Sequence, residues 1–413
     1  MRLPAAFLAG AALLAAGPPA RRPARPAAAV RKAPVEGAVL EGAASLEAYF
    51  SALRGSLEPG EARRPVRVAW FGDSHTAAGF WPGRLRALLQ ERLGDAGPGV
   101  VLPARPWRGY PRPDLELEFG RRWPAESLRS PESSGRVGLA GAALEIPAEE
   151  RLVLRGSFAR VRLHLLGPEG LEPILAGPEE APAPLPLKEV LHRPLAEGTA
   201  LRILETTGPG PFSTLGIGLP EGLRLLGADL GSGRSGAIVD ELGLNGAELL
   251  DLERWDPVLR AALLRDLRPD LLVLAFGTND LGRRDLDGAA YQARAARMLR
   301  TLKEESGAPV LLVGPLDRMG RRRRGQNLKL GAKTIIAAMR GACTEAGCAF
   351  WDARAAMGGE GAIQRWRRQR LAQRDLVHLT AGGYRRLADL LATALDAAEA
   401  KVARLPDATG TPR

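Results

Sequence analysis

The stretch VRVAWFGDSHT, residues 66 to 76, decides how the rest of the chain is interpreted. Its first part, Val66 to Phe71, is a short apolar run bounded by Pro65 and Gly72, and its β-branched and aromatic residues predict a buried strand. Ser74 follows on a tight turn ahead of a predicted helix. A serine in that place exposes its hydroxyl at the carboxyl edge of a sheet, near backbone N–H groups that can stabilise an anion. It is equally expected as a helix N-cap, so the turn alone does not decide its role.

Two distant stretches supply partners for this serine. Residues 271 to 280, LLVLAFGTND, predict a second strand that ends in a polar turn. In the stretch RDLVHLT, Asp375 and His378 lie three residues apart just ahead of the last predicted helix. A serine hydroxyl is a weak nucleophile that needs a base, and the base needs an orienting group. His378 and Asp375 can fill these two roles for Ser74, whereas without Ser74 upstream a capping role for Asp375 would be preferred.

The order of these motifs resembles that of the SGNH/GDSL hydrolase family. Gly72-Asp73-Ser74 matches the first block of the family, residues 277 to 280 (GTND) the third, and residues 375 to 378 the fifth. Residues 243 to 246 (GLNG) fit the second block. The family's leucine after the serine is replaced here by His75.

The resemblance implies a role for each matched residue. Ser74, His378 and Asp375 would form the catalytic triad. The backbone N–H groups of Ser74 and Gly246 and the side-chain amide of Asn279 would form the oxyanion hole. Taken singly, Gly246 is equally an ordinary turn glycine and Asn279 an ordinary residue at the end of a strand.

The pattern of elements predicts an α/β fold with an insertion. After residue 246, strands and helices alternate, which favours a mainly parallel sheet with helices on both faces, the three-layer α/β/α sandwich of the SGNH family. Between residues 111 and 228 the helical periodicity fades, and short strand-like runs separated by Gly, Pro and charged turns predict an inserted antiparallel β-sandwich. His164 and His192 lie in this insertion and are interpreted as packing or surface residues.

The predicted domain plan has six parts. They are a signal peptide (1–29), a flexible linker (30–44), the first part of the hydrolase domain (45–110), the insertion (111–228), the second part of the hydrolase domain (229–404) and a flexible tail (405–413). The leader prediction depends on Arg2, the apolar run after it and the small residues near Ala27 to Ala29. No other stretch approaches the length of a membrane span, so no stable span is expected once the leader is cleaved.

The charge of the chain indicates its surroundings. The 413 residues carry a formal charge of +11, and four arginines without an acid lie in the leader, which leaves about +7 on the mature chain. A basic exported protein suits an acidic cell envelope. No aromatic-interleaved basic motif supports a nucleic-acid partner. The run Arg321 to Arg324 is interpreted as a solvated loop, with binding of an anionic polymer as the alternative.

A glycine-rich segment and a pair of cysteines are two further patterns that could indicate binding sites. The segment 231–236, GSGRSG, has the spacing of a dinucleotide-binding loop, but no helix or ribose-binding acid follows, and we reject that interpretation. Cys343 and Cys348 can form a disulfide in an exported protein or remain a buried free pair. Two thiols without a histidine partner do not make a zinc site.

Several stretches narrow the resemblance to the bacterial peptidoglycan O-acetylesterases, in which a β-rich insertion resembles a carbohydrate-binding module. They are residues 313–317 (VGPLD), 357–359 (MGG), Trp366, 377–380 (VHLT) and 383–384 (GY). This resemblance implies an exported serine esterase that acts on an O-acetylated glycan, in chemistry that needs no metal or organic cofactor. The alternatives are an O-acetyltransferase, a lipase-like carboxylesterase and an inactive glycan-binding protein. The oligomeric state is left open.

Overall fold

The computed structural model describes residues 39–58, 64–102, 115–118, 123–145, 151–176, 185–283, 285, 287–319 and 331–404. The predicted leader, most of the linker, the tail and the run Arg321 to Arg324 lie outside these residues. No helix in the described part is both long and apolar enough to cross a membrane.

The strands fall into two sheets. They are β1 (Val66–Gly72), β2 (Gly99–Val101), β3 (Glu116–Glu118), β4 (Ala125–Ser127), β5 (Ala142–Glu145), β6 (Arg151–Pro168), β7 (Ile174–Ala176), β8 (Lys188–Pro194), β9 (Thr199–Gly218), β10 (Arg224–Gly231), β11 (Ala237–Gly243), β12 (Leu271–Ala275), β13 (Val310–Val313) and β14 (Ala349–Trp351).

The helices lie mainly in the two flanking parts of the chain. They are α1 (Glu47–Leu57), α2 (Ser74–Ala77), α3 (Phe80–Leu93), α4 (Pro257–Leu267), α5 (Gly288–Ser306), α6 (Ala332–Ala346), α7 (Ala353–Ala356), α8 (Ala362–Arg368) and α9 (Ala381–Val402), with 3₁₀ helices at Ala43–Leu46, Ala196–Gly198 and Leu249–Arg254.

The first sheet is parallel and lies between two layers of helices. Its strand order is β11-β1-β12-β13-β14, and every adjacent pair is parallel. Side chains alternate across a strand, so Val66, Val68 and Trp70 share a core with α1, α3 and α9. Ala69 and Phe71 point to the other face and share a core with α4, α5 and α6. The predicted α/β fold with a mainly parallel sheet is confirmed.

The second sheet is antiparallel and is built largely from the insertion. Within the described residues it contains nine hydrogen-bonded strands, and β6 and β9, of 18 and 20 residues, are its longest pair. Register shifts interrupt the β6–β9 pairing. The predicted antiparallel insertion is therefore present, as one hydrogen-bonded network. Its strands begin with β2 at Gly99, ahead of residue 111, and the domain boundaries stay predictions.

Buried charges join the two sheets. Arg67 of β1 donates to Asp229 of β10 and to Asp240 of β11, with distances of 2.7 to 2.9 Å. All three side chains are almost fully buried. A buried charge that loses its partner is strongly destabilising, so this triple fixes the position of the insertion on the parallel sheet.

Two open questions of the sequence are answered by the fold. Cys343 and Cys348 are joined by a disulfide between the end of α6 and the start of β14. The segment 231–236 connects β10 directly to β11, without a helix. A dinucleotide-binding loop leads directly into a helix. The direct connection from β10 to β11 is therefore consistent with our rejection of that interpretation.

Candidate active site

The turn that carries Ser74 is held by hydrogen bonds at the end of β1. Asp73 caps α2 by accepting the backbone N–H of His75 at 2.9 Å, and Ser74 is the first residue of this helix. A Cβ at Gly72 would overlap the side chain of Thr76, so only glycine fits there. N–H groups in a first helical turn have no intrahelical acceptor, and the Ser74 N–H is thereby left available to a ligand.

The Ser74 hydroxyl lies in a row with an imidazole and a carboxylate. Its Oγ is 2.9 Å from Nε2 of His378, and Nδ1 of His378 is 2.7 Å from Oδ2 of Asp375. The other carboxylate oxygen, Oδ1, accepts the backbone N–H groups of Val377 and His378, both at 3.0 Å. Leu376 adopts a left-handed conformation with a φ of +56°, which folds the loop so that both side chains lie on one side.

The carboxylate of this row is ionised despite partial burial. Desolvation acts to raise the pKa of Asp375, but hydrogen bonds from the His378 ring and from two backbone N–H groups outweigh it and hold the pKa below its usual value. The side chains of His378 and Asp375 remain 36% and 45% exposed. An anionic Asp375 can therefore orient the ring through Nδ1–H, which leaves Nε2 free to accept the serine proton.

A second loop approaches the serine from β11. The N–H of Leu244 donates to the carbonyl of Gly72 at 2.9 Å, and that of Ala247 donates to the carbonyl of Leu244 at 3.1 Å. Gly246 lies in this turn with a φ of +77°, a conformation that L-residues rarely adopt. Within the described residues, its N–H has no acceptor.

Asn279 is joined to the same loop. Its Nδ2 donates to the carbonyl of Ala247 at 3.0 Å, and the side chain is half-buried. A primary amide has two N–H donors, so one remains for a ligand. The two residues that the sequence predicts as further oxyanion donors, Gly246 and Asn279, thus lie on loops in direct contact.

Two buried acids form the floor of the site. Asp280 accepts the hydroxyl of Tyr291 at 2.7 Å and the N–H of Leu249 at 3.2 Å, and burial raises its pKa to about 6. Burial also raises the pKa of Asp73 to about 7, although it accepts the N–H of His75. Both carboxyl groups make local hydrogen bonds that fix the loops around the serine.

His75 and Tyr384 were not predicted to belong to the site. The His75 ring lies 5.2 Å from the His378 ring, centroid to centroid, and its Nδ1 is 2.8 Å from the Tyr384 hydroxyl. Burial, and then the neighbouring His378, lower the pKa of His75 to about 3, so the ring is neutral. The only sequence signal was the departure from the family's leucine after Ser74.

Two arginines near the site were also missed. Arg318 donates from Nη1 to the carbonyl of Thr278 at 2.8 Å, and burial lowers its pKa. The next residue, Met319, donates its N–H to the carbonyl of Leu376, in the loop that carries Asp375 and His378. Arg129 reaches Gly246 from the antiparallel sheet. A single arginine outside any periodic pattern carries no sequence signal.

The remaining histidines lie in the antiparallel sheet. His164 is buried in β6, and His192 is exposed in β8 and faces Glu169 at 3.2 Å. In the part of the chain that the structure describes, no group of three or more His, Cys, Asp or Glu residues could hold a metal ion.

Comparisons with known proteins give one family-model match and several similar solved structures. Residues 210–386 match the model of the GDSL-like lipase/acylhydrolase family, a span that includes Gly246, Asn279, Asp375 and His378 but not Ser74. A structure titled "Peptidoglycan O-acetylesterase in action" aligns with a TM-score of 0.73 and 23% identity over 88% of this chain and 99% of that one.

Other matches are more distant. A family two carbohydrate esterase from Cellvibrio japonicus aligns with a TM-score of 0.29 and 12% identity, over 69% of this chain and 98% of its own. A Lactobacillus plantarum protein aligns with a TM-score of 0.33 and 20% identity, over 39% and 81% of the two chains. Comparison with curated proteins finds no significant match.

Proposed function

We propose that this chain is a serine hydrolase of the SGNH/GDSL type and an exported esterase that removes O-acetyl groups from a cell-envelope glycan, namely peptidoglycan. The observation that carries the proposal is the row of hydrogen bonds from Ser74 through His378 to Asp375. Such a row activates a serine for attack on an ester.

In the acylation half-reaction, Nε2 of His378 takes the Ser74 proton while Oγ forms a bond to the acetyl carbon. The carbonyl π electrons move to oxygen and give a tetrahedral oxyanion. As this intermediate collapses, the bond to the sugar oxygen breaks, and the imidazolium returns its proton to that oxygen. The products are a free sugar hydroxyl and an acetylated serine.

Deacylation repeats these steps with water as the nucleophile. His378 takes one proton of the water as its oxygen attacks the acetyl carbon, and then returns the proton to Ser74 Oγ as the acyl bond breaks. Acetate leaves, and the serine is regenerated. A sugar hydroxyl in place of water would give acetyl transfer, so acetate release without an added acceptor distinguishes the two outcomes.

The charge on the intermediate needs donors aimed at one oxygen. The proposed donors are the N–H groups of Ser74 and Gly246 and the free amide N–H of Asn279. The unused N–H of Gly246 and the contact between Asn279 and the loop of Gly246 support this assignment. One such donor is typically worth about 3 kcal/mol of transition-state stabilisation.

The substrate class and location have separate support. The 23%-identical structure is titled a peptidoglycan O-acetylesterase, and its alignment spans 88% of this chain. The leader-like segment before residue 30 and the net positive charge suit an enzyme that is exported to an anionic envelope polymer.

The test is acetate release by the purified protein. We expect acetate from O-acetylated peptidoglycan, less from other acetylated polysaccharides, and none from peptidoglycan that was de-O-acetylated with mild base. Ser74→Ala should abolish release, whereas Ser45→Ala, which changes a half-buried serine bonded to its own turn, should not. Equal release by Ser74→Ala and the wild type would refute the assignment. Preference for long acyl chains would indicate a lipase-like enzyme instead.

A further inference from the structure

Arg129 brings the inserted sheet to the edge of the site. It lies two residues after β4, and its backbone N–H donates to Oγ of Ser127 at 3.3 Å. The preceding residue, Leu128, is buried and donates its N–H to the carbonyl of Gly141 at 3.0 Å. The main chain is thus anchored in the insertion, and the long side chain reaches away from it toward the loop of Gly246.

The side chain of Arg129 ends beside Gly246. A Cβ built on Gly246 would lie 3.8 Å from Nε and 3.9 Å from Nη2 of Arg129, the nearest atoms on that side. Gly246 carries no side chain, so the guanidinium lies across open space from its Cα, within van der Waals range of the place that a Cβ would occupy. A substrate with its acetyl oxygen at Gly246 would have its neighbouring groups close to Arg129.

The guanidinium has one edge occupied and one edge available. Nη1 donates to Oδ2 of Asp251 at 3.2 Å, and the side chain of Arg129 is 41% exposed. Within the described residues, Nε and Nη2 donate to no acceptor, and these are the two atoms that face Gly246. Nε–H and the adjacent Nη2–H form the parallel fork that binds a carboxylate through two hydrogen bonds.

The acids near this edge are already engaged. Asp251 accepts the N–H of Glu248 at 2.8 Å as well as Arg129, and the Glu248 carboxylate is paired with Arg283. The open fork of Arg129 therefore faces no unpaired carboxylate of the described chain. This leaves the position suited to an acid brought by the substrate.

We propose that Arg129 is a specificity residue that binds, through its Nε/Nη2 fork, a carboxylate carried by the ester substrate next to the acetylated position. This inference rests on the proposed esterase function and gives the insertion a direct part in choosing the substrate. The carboxylate can belong to the sugar or to a peptide attached to it, since both present the same group.

The experiment compares two pairs of substrates, and the members of each pair differ only in charge. The first pair is O-acetylated N-acetylmuramic acid and its carboxamide. In the second pair the sugar carboxyl is bound to a peptide as an amide, and the carboxyl group at the end of the peptide is either free or amidated. We expect the wild type to prefer the carboxylate by about tenfold in kcat/KM, as for one charge-assisted pair. Arg129→Gln should bring this ratio near one, and Arg129→Lys, which keeps the charge but lacks the fork, should give an intermediate ratio.

Matched variants separate specificity from structure. Arg136 is another arginine of the insertion, and its Nη1 lies 4.0 Å from Oε2 of Glu197. Arg136→Gln should keep the wild-type ratio of kcat/KM between the acid and the amide. If Arg129 only ties the insertion to Asp251, Arg129→Gln will lower both rates equally and the proposal is overturned. If Arg129→Gln unfolds, the proposal is tested on the wild type by inhibition of 4-nitrophenyl acetate hydrolysis. The proposal requires N-acetylmuramic acid to inhibit at a lower concentration than its carboxamide, and equal inhibition by the two overturns it.

The outcomes also separate this inference from the function itself. A wild type that hydrolyses the acid and the amide of both pairs equally well refutes the carboxylate subsite but not the esterase function. A wild type that hydrolyses neither refutes both. A preference that appears only with the attached peptide identifies the peptide, and not the sugar, as the source of the carboxylate.

Discussion

Replacing Asp375 by Asn isolates the charge that we propose orients His378 for catalysis. The side-chain oxygen of asparagine can still accept the backbone N–H groups that Oδ1 of Asp375 accepts at 3.0 Å. The anionic partner of His378 Nδ1, now 2.7 Å away, is lost. The change therefore spares the loop and removes the charge-assisted bond.

The size of the effect follows from exposure. A hydrogen bond to a charged group is worth about 1.5–3 kcal/mol, which corresponds to a loss of about one to two powers of ten in rate. In a fully buried triad the same change costs about four powers of ten. The Asp375 side chain is 45% exposed, so water can replace part of its electrostatic effect on His378. We therefore expect the loss in rate to be about one to two powers of ten here.

The assay is kcat/KM for 4-nitrophenyl acetate, with the thermal midpoint measured in parallel. Asp375→Asn should lower kcat/KM about 10- to 100-fold, because the charge-assisted hydrogen bond to His378 is lost. The thermal midpoint should stay almost unchanged. Asp375→Ala should lower the midpoint as well, since it also removes both backbone contacts. Asp389→Asn, which loses only an exposed pair with Arg84, should change neither. A rate for Asp375→Asn within about twofold of the wild type would refute the orienting role, since that is far below the expected loss.

Three further outcomes follow from the same contacts. Asn279→Ala should lower kcat by about two powers of ten with little change in KM, the typical effect of one lost oxyanion donor; a change confined to KM would contradict it. Tyr384→Phe should destabilise the fold by about 1–3 kcal/mol, because Nδ1 of buried His75 loses its partner at 2.8 Å; an unchanged urea midpoint would count against it. Asp73, whose pKa burial raises to about 7, binds a proton in the folded state that the unfolded chain releases near its usual value, so its contribution to stability falls as the pH rises from about 4 to about 7. Asp73→Asn should therefore gain stability relative to the wild type over that interval, and a constant difference would exclude this linkage.

The parallel sheet was predictable because its strands are buried on both faces. Val310–Val313 and Leu271–Ala275 are continuous apolar runs, and such runs between helical segments specify the position of each strand. The carboxyl ends of parallel strands share one edge. For that reason the sequence could predict that Ser74 and Asn279, 205 residues apart, lie on neighbouring loops.

The inserted sheet was predictable in type and less so in extent. Alternating residues indicated its strands, yet β2 at Gly99–Val101 is only three residues long and pairs with β10, more than 120 residues later. No local pattern specifies such a long-range pairing. The same holds for Arg129, whose place beside Gly246 depends on how the insertion packs against the parallel sheet, including the buried triple of Arg67.

His75 shows a different limit. Its neighbour Ser74 was assigned from the family motif, and a histidine in place of the family's leucine carried no expectation of its own. Its partner Tyr384 lies in α9, and the two side chains meet because that helix packs on the turn that carries Ser74 and His75. Contacts between side chains on separate elements cannot be obtained from periodicity.

The most direct test is to find the acetyl group on the enzyme itself. Rapid acid quenching of the protein during turnover of an acetyl ester, followed by peptide mass spectrometry, should show acetylation of Ser74, and Ser74→Ala should show none. Acetylation at another residue, or full turnover by Ser74→Ala, would contradict nucleophilic catalysis by the hydroxyl that lies 2.9 Å from His378.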